Sequence, residues 1–264
     1  MVKADLQIHS KYSSHALYMP YEKIMKQLRL NYPESSFFEG DVWWMEHVAI
    51  DGVSGPAKIL EVAQKRNLNA VAITDHNTCL GSIEAQRLSK NYDVVVIPGM
   101  EISTSEGELL AYGITKKIPF RISPQDAVEM IHDQGGLVAI PHPFLKPHPK
   151  KDFTTMNEKL ILSLDIDAID VFSPIFGFQK YWSDFAKANN LAELGTSDAH
   201  MDVLLGTVWT EFPDECKKES DFIDAIRYKK TKAGGITKRK TILLKAVLEH
   251  LWKNTLGRPF IKFG

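Results

Sequence analysis

Residues 3–10 read KADLQIHS, and Asp5, Gln7 and His9 alternate as side chains on one face of a strand do. A carboxylate and an imidazole at a strand end are donors that a divalent cation uses. A histidine at residue 7 would strengthen that reading; Gln7 offers a neutral carbonyl oxygen, a poorer donor for a borderline metal. Comparable residues recur along the chain. His76 stands in ITDHNT, Glu101 in PGMEIST, His142 in IPHPF, and Asp198 and His200 in GTSDAH. Each follows a short apolar run. A lone strand-end histidine is commonly a satisfied polar residue, but six such groups at successive strand ends argue for one shared site.

The mixture selects a chemistry. Imidazoles with carboxylates suit Zn²⁺, Mn²⁺ or Fe²⁺ better than Mg²⁺ alone, which prefers oxygen and water. A bridging carboxylate can hold two cations roughly 3.5–4 Å apart, where they activate water and polarise a phosphoryl or acyl oxygen. No G-x-S-x-G nucleophile elbow, P-loop or G-x-G-x-x-G cradle is present. Water activated by metal is therefore the expected nucleophile. His47, His132 and His250 fall on expected loops or helices and read as structural.

These residues must be positioned by a scaffold. Apolar runs at 2–8, 70–74, 93–99, 108–114, 136–141, 167–172, 191–196 and 207–212 alternate with longer amphipathic segments. That order predicts parallel strands with crossover helices, an α/β barrel whose strand ends converge on one face. Helices are expected after Pro56, from Ser123-Pro124-Gln125-Asp126 to Gly135, and over 178–189, 220–228 and 241–252. Residues 16–50, rich in tryptophan, phenylalanine and tyrosine, read as an insertion, either a packed excursion or a lid. The basic stretch YKKTKAGGITKRK (228–240) reads as a solvated linker to a C-terminal helical extension, not as a nucleic-acid contact.

The 264 residues fit one barrel domain spanning 1–264. Hydrophobic residues make up 44% and charged residues 25%, with a net charge of −1, so no global field recruits nucleic acid or a membrane surface. Cys79 and Cys216 lie far apart, which fits a reducing cytoplasmic setting. No apolar run nears the roughly 18 residues of a membrane span, and the N-terminus lacks a signal core. Nothing in the chain fixes its oligomeric state.

Taken in order, DLQIHSKYS, DGVSGPAKILEVAQKRNLNAVAITDHNT, VIPGMEIST, IPHPF and GTSDAH resemble the PHP (polymerase and histidinol phosphatase) superfamily, over roughly residues 3–210. The resemblance implies a distorted (β/α)7, TIM-like barrel binding two or three divalent ions and hydrolysing a phosphoester. It implies one metal at His9, Glu101 and Asp198, with Gln7 where the family usually has histidine. A second would share Glu101 and use His142. A third would use His76, His200 and either Asp51 or His15; Asp51 is favoured because the match runs unbroken from it into AVAITDHNT. Glu108 stands where many members place another histidine and can still ligate.

The expected partner is a small phosphorylated metabolite or nucleotide, with no nucleic-acid platform. Lys146 and His148, after His142, are candidates to meet its phosphate, as is Lys11. Asp75 either orients an imidazole, takes a proton from water, or makes a structural hydrogen bond. Two alternatives stand beside phosphoester hydrolysis: metal-assisted hydrolysis of a carboxylic ester or amide, and a binding module that has lost catalysis, for which Gln7 and Glu108 speak.

Overall fold

The structure is a computed structural model that describes residues 1–13, 52, 54–144 and 156–236. The aromatic insertion, the 241–252 helix, His15, His47, Asp51, Lys146, His148 and His250 lie outside the described residues.

Strand β1 (Val2–Ile8) pairs in parallel with β2 (Ala70–Ile73), and β2 pairs in parallel with β3 (Val95–Thr104). Helices α1 (Pro56–Lys65) and α2 (Leu80–Ser89) occupy the two crossovers. Pro56 opens α1 directly after Gly55, where its fixed φ suits a first turn. Ile59, Leu60, Val71, Ile73 and Val96 form the apolar layer between these helices and the sheet.

The expected all-parallel run is then broken. Only Ser105 and Glu106 separate β3 from β4 (Gly107–Tyr112), too few for a crossover, so the two form an antiparallel hairpin. Strand β4 is also antiparallel to β5 (Leu137–Ile140), reached through α3 (Pro124–His132). Ser123 caps α3 by accepting the Asp126 N–H at 3.0 Å, as its sequence predicts. The parallel pattern resumes with β6 (Ala168–Ser173), which follows α4 (Glu158–Ile161) and pairs with β5. A two-residue strand β7 (Gly177–Phe178) folds back on β6. Helix α5 (Lys180–Ala188) leads to β8 (Ala192–Gly195), parallel to β6.

Strand β9 (Val208–Phe212) runs antiparallel to β1. After α6 (Glu219–Arg227), β10 (Lys232–Gly235) adds to β9. The expected linker at 228–240 thus contains a strand. Its glycines explain why: a Cβ on Gly234 would lie 2.6 Å from Trp209 Nε1, and one on Gly235 would lie 2.9 Å from Phe172 Cζ. Strand propensity misses a segment whose requirement is close approach.

The sheet is a nearly closed barrel. Between β8 and β9 the Thr210 side chain spans the seam: its Oγ1 accepts the Gly195 N–H and donates to the Gly195 carbonyl, both at 3.1 Å. Beyond β8, Ala199 bridges to Ile8. Leu6, Ile97, Leu110, Tyr112, Leu194 and Phe222 belong to one buried cluster that joins β1, β3, β4, β8 and α6. No helix among the described residues is long and apolar enough to cross a membrane.

Candidate metal centre

The site lies where the loops after β1, β2, β5 and β8 meet the β3–β4 hairpin. Sequence reasoning places Glu101 beyond a strand end, but β3 continues to Thr104 and Glu101 lies within it. In the hairpin register Glu101 faces Leu110 and Ser103 faces Glu108, which brings both glutamates to one face. Backbone hydrogen bonds lace the loops together. His9 N–H donates to the Ala199 carbonyl at 2.9 Å, and Asn77 N–H to the Glu101 carbonyl at 2.7 Å.

Glu101 is the centre. One oxygen, Oε2, lies 3.0 Å from His9 Nε2 and 4.0 Å from His76 Nδ1; the other, Oε1, lies 3.3 Å from His142 Nε2. Glu108 reaches His76 Nδ1 at 3.6 Å and His142 Nε2 at 3.7 Å. Asp198 Oδ1 lies 3.2 Å from His9 Nε2 and 3.7 Å from His200 Nδ1. The His9 ring stacks between its neighbours, 4.6 Å from His76 and 4.2 Å from His200 between centroids. His142 and Asp198 have positive φ, 29° and 48°, a conformation that costs non-glycine residues energy and that clusters at functional sites.

Electrostatics tighten the picture. Burial would raise the Glu101 carboxyl, yet His76, His142 and His9 hold it well below the ordinary range. Burial and then the charge of Glu101 push Glu108 up to about 8. Burial works against a charged His142, but Glu101, Asp198 and Glu108 together push it up to about 10. Asp198 is brought down to about 2, chiefly by His200 and His9, against its burial.

The donors fit divalent cations. Three triads have donor atoms all within 4.8 Å of one another: His9, His76 and His200; His9, Glu101 and Asp198; His76, Glu101 and Glu108. Buried Glu108 Oε1 receives no hydrogen bond among the described residues. Two buried glutamates crowded around the same two imidazoles, His76 and His142, are what a shared cation would relieve.

Of the residues singled out in the sequence, Gln7, His9, His76, Glu101, Glu108, His142, Asp198 and His200 come together. Gln7 touches Glu101 and Thr196, donating from Nε2 to Glu101 Oε2 at 3.0 Å and accepting at Oε1 from the Thr196 hydroxyl at 3.1 Å. Asp75 stands beside the cluster, its oxygens accepting the Ser10 N–H at 2.6 Å and the Ser10 hydroxyl at 2.7 Å. Lys11 lies with its ammonium 5.2 Å from the centre of the Tyr12 ring.

Sequence reasoning missed two supports, Ser13 and Thr196, and read a third, Asp5, as a cation donor. Asp5 accepts from Ser197 N–H at 3.1 Å, from the Ser197 hydroxyl at 2.5 Å and from Gly206 N–H at 2.6 Å, anchoring the loop that carries Asp198 and His200. Ser13 Oγ lies 3.0 Å from His9 Nδ1 and accepts the His76 N–H at 3.1 Å. Thr196 holds Gln7. Asp5 was visible in its alternation with Gln7 and His9; a serine four residues after a histidine carries no such signal.

Comparison with known proteins agrees with this geometry. A family model described as PHP-associated matches residues 183–231. The chain is 37% identical over 172 residues to an uncharacterised protein of Methanocaldococcus jannaschii, covering 65% of this chain and 82% of that one. Over 57 residues, 22% of this chain and 21% of the other, it is 37% identical to a 5'-3' exoribonuclease of Haemophilus influenzae. A two-domain Bacteroides vulgatus protein, described as containing a predicted PHP-like metal-dependent phosphoesterase, superposes with a TM-score of 0.65 at 15% identity, over 94% of this chain and 69% of that one. The lesion-specific endonuclease Q of Pyrococcus furiosus superposes with a TM-score of 0.50 at 15% identity, over 88% of this chain and 57% of that one.

The last similarity corrects the expectation of a small-molecule partner and no nucleic-acid platform, since a protein of this fold is an endonuclease. The expected lack of a platform rests on the net charge of −1 and on reading 228–240 as a linker, and the small phosphorylated partner on the family resemblance. Chain-wide balance is a poor guide here, because a net charge does not describe the local field at one site.

Proposed function

Because the chain belongs to the PHP superfamily, we propose that it is a metal-dependent hydrolase of phosphoester bonds in nucleic acid. The observation that carries this reading is the sharing of Glu101, whose two oxygens face His9 and His142 from different loops while Glu108 approaches from the same hairpin face. Such an arrangement suits two or three ions held close together. His9, Asp198 and Glu101 would hold one, His76, Glu108 and Glu101 another, with His142 and His200 completing them. When bound, these ions, of the Zn²⁺, Mn²⁺ or Fe²⁺ type, supply an activated water and neutralise charge developing on phosphorus.

The chain's own residues do the rest. Glu101, ionised and buried, fixes the centre. Asp198 and His200, which are partly exposed, form its open side and meet the substrate first. Asp75, tied to Ser10, shapes the β1 loop.

An aromatic pair whose first member follows His142 by two residues favours a nucleobase-bearing substrate. Strands β5 and β6 are parallel and end at the same edge. Phe144 follows His142 by two residues, and its ring lies 5.5 Å from that of Phe176 in the turn after β6. Phe176 is 44% and Phe178 50% exposed, and the turn is held by the Phe176 N–H on Ser173 Oγ. Exposed aromatic faces next to a phosphate-directed site are stacking surfaces for bases.

The test is turnover of single-stranded RNA and DNA oligonucleotides, a generic phosphomonoester and a carboxylic ester, by metal-stripped protein resupplied with Mn²⁺, Zn²⁺ or Mg²⁺. Metal-dependent release of nucleotides, abolished in His142→Ala, is expected. Turnover of the carboxylic ester alone, or tight ion binding with no turnover of any substrate, would overturn the reading.

A further inference from the structure

Gln7 sits at the position where the resemblance places a histidine ligand, and its surroundings show a different use. It is fully buried. Its Nε2 carries no lone pair for a cation and donates to Glu101 Oε2 at 3.0 Å. Its Oε1, the one atom able to ligate, faces the Thr196 hydroxyl, accepting it at 3.1 Å, while Nε2 is the atom turned to Glu101. The amide orientation follows from the contacts: the Glu101 carboxylate faces the ring nitrogens of His9 and His142 as an acceptor, and turning the amide would press two acceptor oxygens together. An imidazole could not bind both neighbours and a cation at once, since it has only two ring nitrogens. A glutamine joins a donor above and an acceptor below in one short side chain.

We infer that Gln7 is a positioning residue, a neutral clamp between Thr196 and Glu101 that aims the shared carboxylate and does not itself ligate. This rests on the proposal that Glu101 holds divalent ions. Two consequences follow. His9, Glu101 and Asp198 would then hold an ion with three protein donors and without Gln7, the donor number that marks reactive sites over closed structural ones. Because Glu101 belongs to two of the three donor triads, loosening the clamp disturbs both of those ion positions together. Thr196, whose hydroxyl bonds Gln7 and also meets the buried Asp170 carboxyl, holds the other end of the clamp.

The experiment is direct metal titration of the full chain with Mn²⁺ and Zn²⁺, by calorimetry and by chelator competition, for wild type, Gln7→Leu and Thr196→Val. The clamp predicts that both variants lower affinity at both positions, by about tenfold to a hundredfold, as losses of orienting partners do. If Gln7→Leu removes one ion and leaves the others unchanged, or Thr196→Val raises affinity by freeing the carbonyl, Gln7 is a ligand and the inference falls. A second readout needs no metal. In the metal-free protein the Gln7 side-chain amide protons should exchange slowly with solvent, and faster in Thr196→Val. Fast exchange in wild type would overturn the clamp. A wild type that binds no divalent ion would instead overturn the functional reading, while the amide signal still reports on the clamp.

Discussion

Asp5 and Gly206, 201 positions apart, are joined by a 2.6 Å hydrogen bond from the Gly206 N–H to a fully buried carboxylate. The same carboxylate takes two hydrogen bonds from Ser197, so one side chain on β1 holds both ends of the loop bearing Asp198 and His200. Burial pushes Asp5 up to about 6 from 3.8, despite those bonds. A carboxyl raised on folding stabilises the fold fully below its unfolded value and loses that contribution as pH climbs through the folded one. Asp5→Asn has no such titration. The stability of wild type relative to Asp5→Asn should therefore fall by about 2 kcal/mol between pH 4 and pH 7. Denaturant melts at both pH values check this; a difference that does not move with pH would remove Asp5 as the titrating strut.

Ser13 fixes which nitrogen His9 presents. With Nδ1 occupied 3.0 Å away by Ser13 Oγ, Nε2 is turned toward Glu101 and Asp198. Ser13→Ala should weaken divalent-ion binding by about tenfold to a hundredfold with the circular dichroism unchanged. Undiminished affinity would show that stacking against His76 and His200 suffices to orient the ring.

Glu108 makes the metal-free protein sensitive to alkali. Its carboxyl, pushed from 4.5 to about 8 by burial and by Glu101, contributes stability that is complete below 4.5 and lost as pH rises through 8. Glu108→Gln should therefore melt higher than wild type at pH 8 without metal, the gap closing on acidification. Added Mn²⁺ or Zn²⁺ should stabilise wild type more than the variant, since ions bind the folded state through that charge. Thermal melts at pH 5 and 8, with and without ions, decide it; equal gains from metal in both proteins would exclude Glu108 from the centre.

The legible part of the site was the part carried by residue type. His9, His76, Glu101, His142, Asp198 and His200 stand out because imidazoles and carboxylates after apolar runs are chemically conspicuous, and the structure gathers them. The barrel was legible for the related reason that buried strands read as apolar runs. Direction was not. An apolar run does not say which way its strand points, and only the two-residue gap before Gly107 reveals the β3–β4 hairpin. Strand β10 hid behind lysines and glycines because its requirement is nearness to Trp209 and Phe172. Thr196 and Ser13 hid because hydroxyls are common and their role exists only through contacts 189 and 4 residues away.

Substrate choice turns on the aromatic pair. Phe176 packs its ring against Phe144 at 51° and leaves 44% of its surface open, so its truncation removes a stacking face and leaves the cluster donors in place. Base stacking on an aromatic side chain contributes about 1–3 kcal/mol per base. Phe176→Ala should raise KM for an oligonucleotide by about tenfold to a hundredfold, with kcat nearly unchanged, because the loss falls on binding shared by ground and transition states. Hydrolysis of a generic phosphomonoester, which has no base to stack, should be unaffected. Steady-state kinetics on the two substrates separate the outcomes: an equal loss on both would assign Phe176 to the fold, and no loss on either would move the base to another wall of the site.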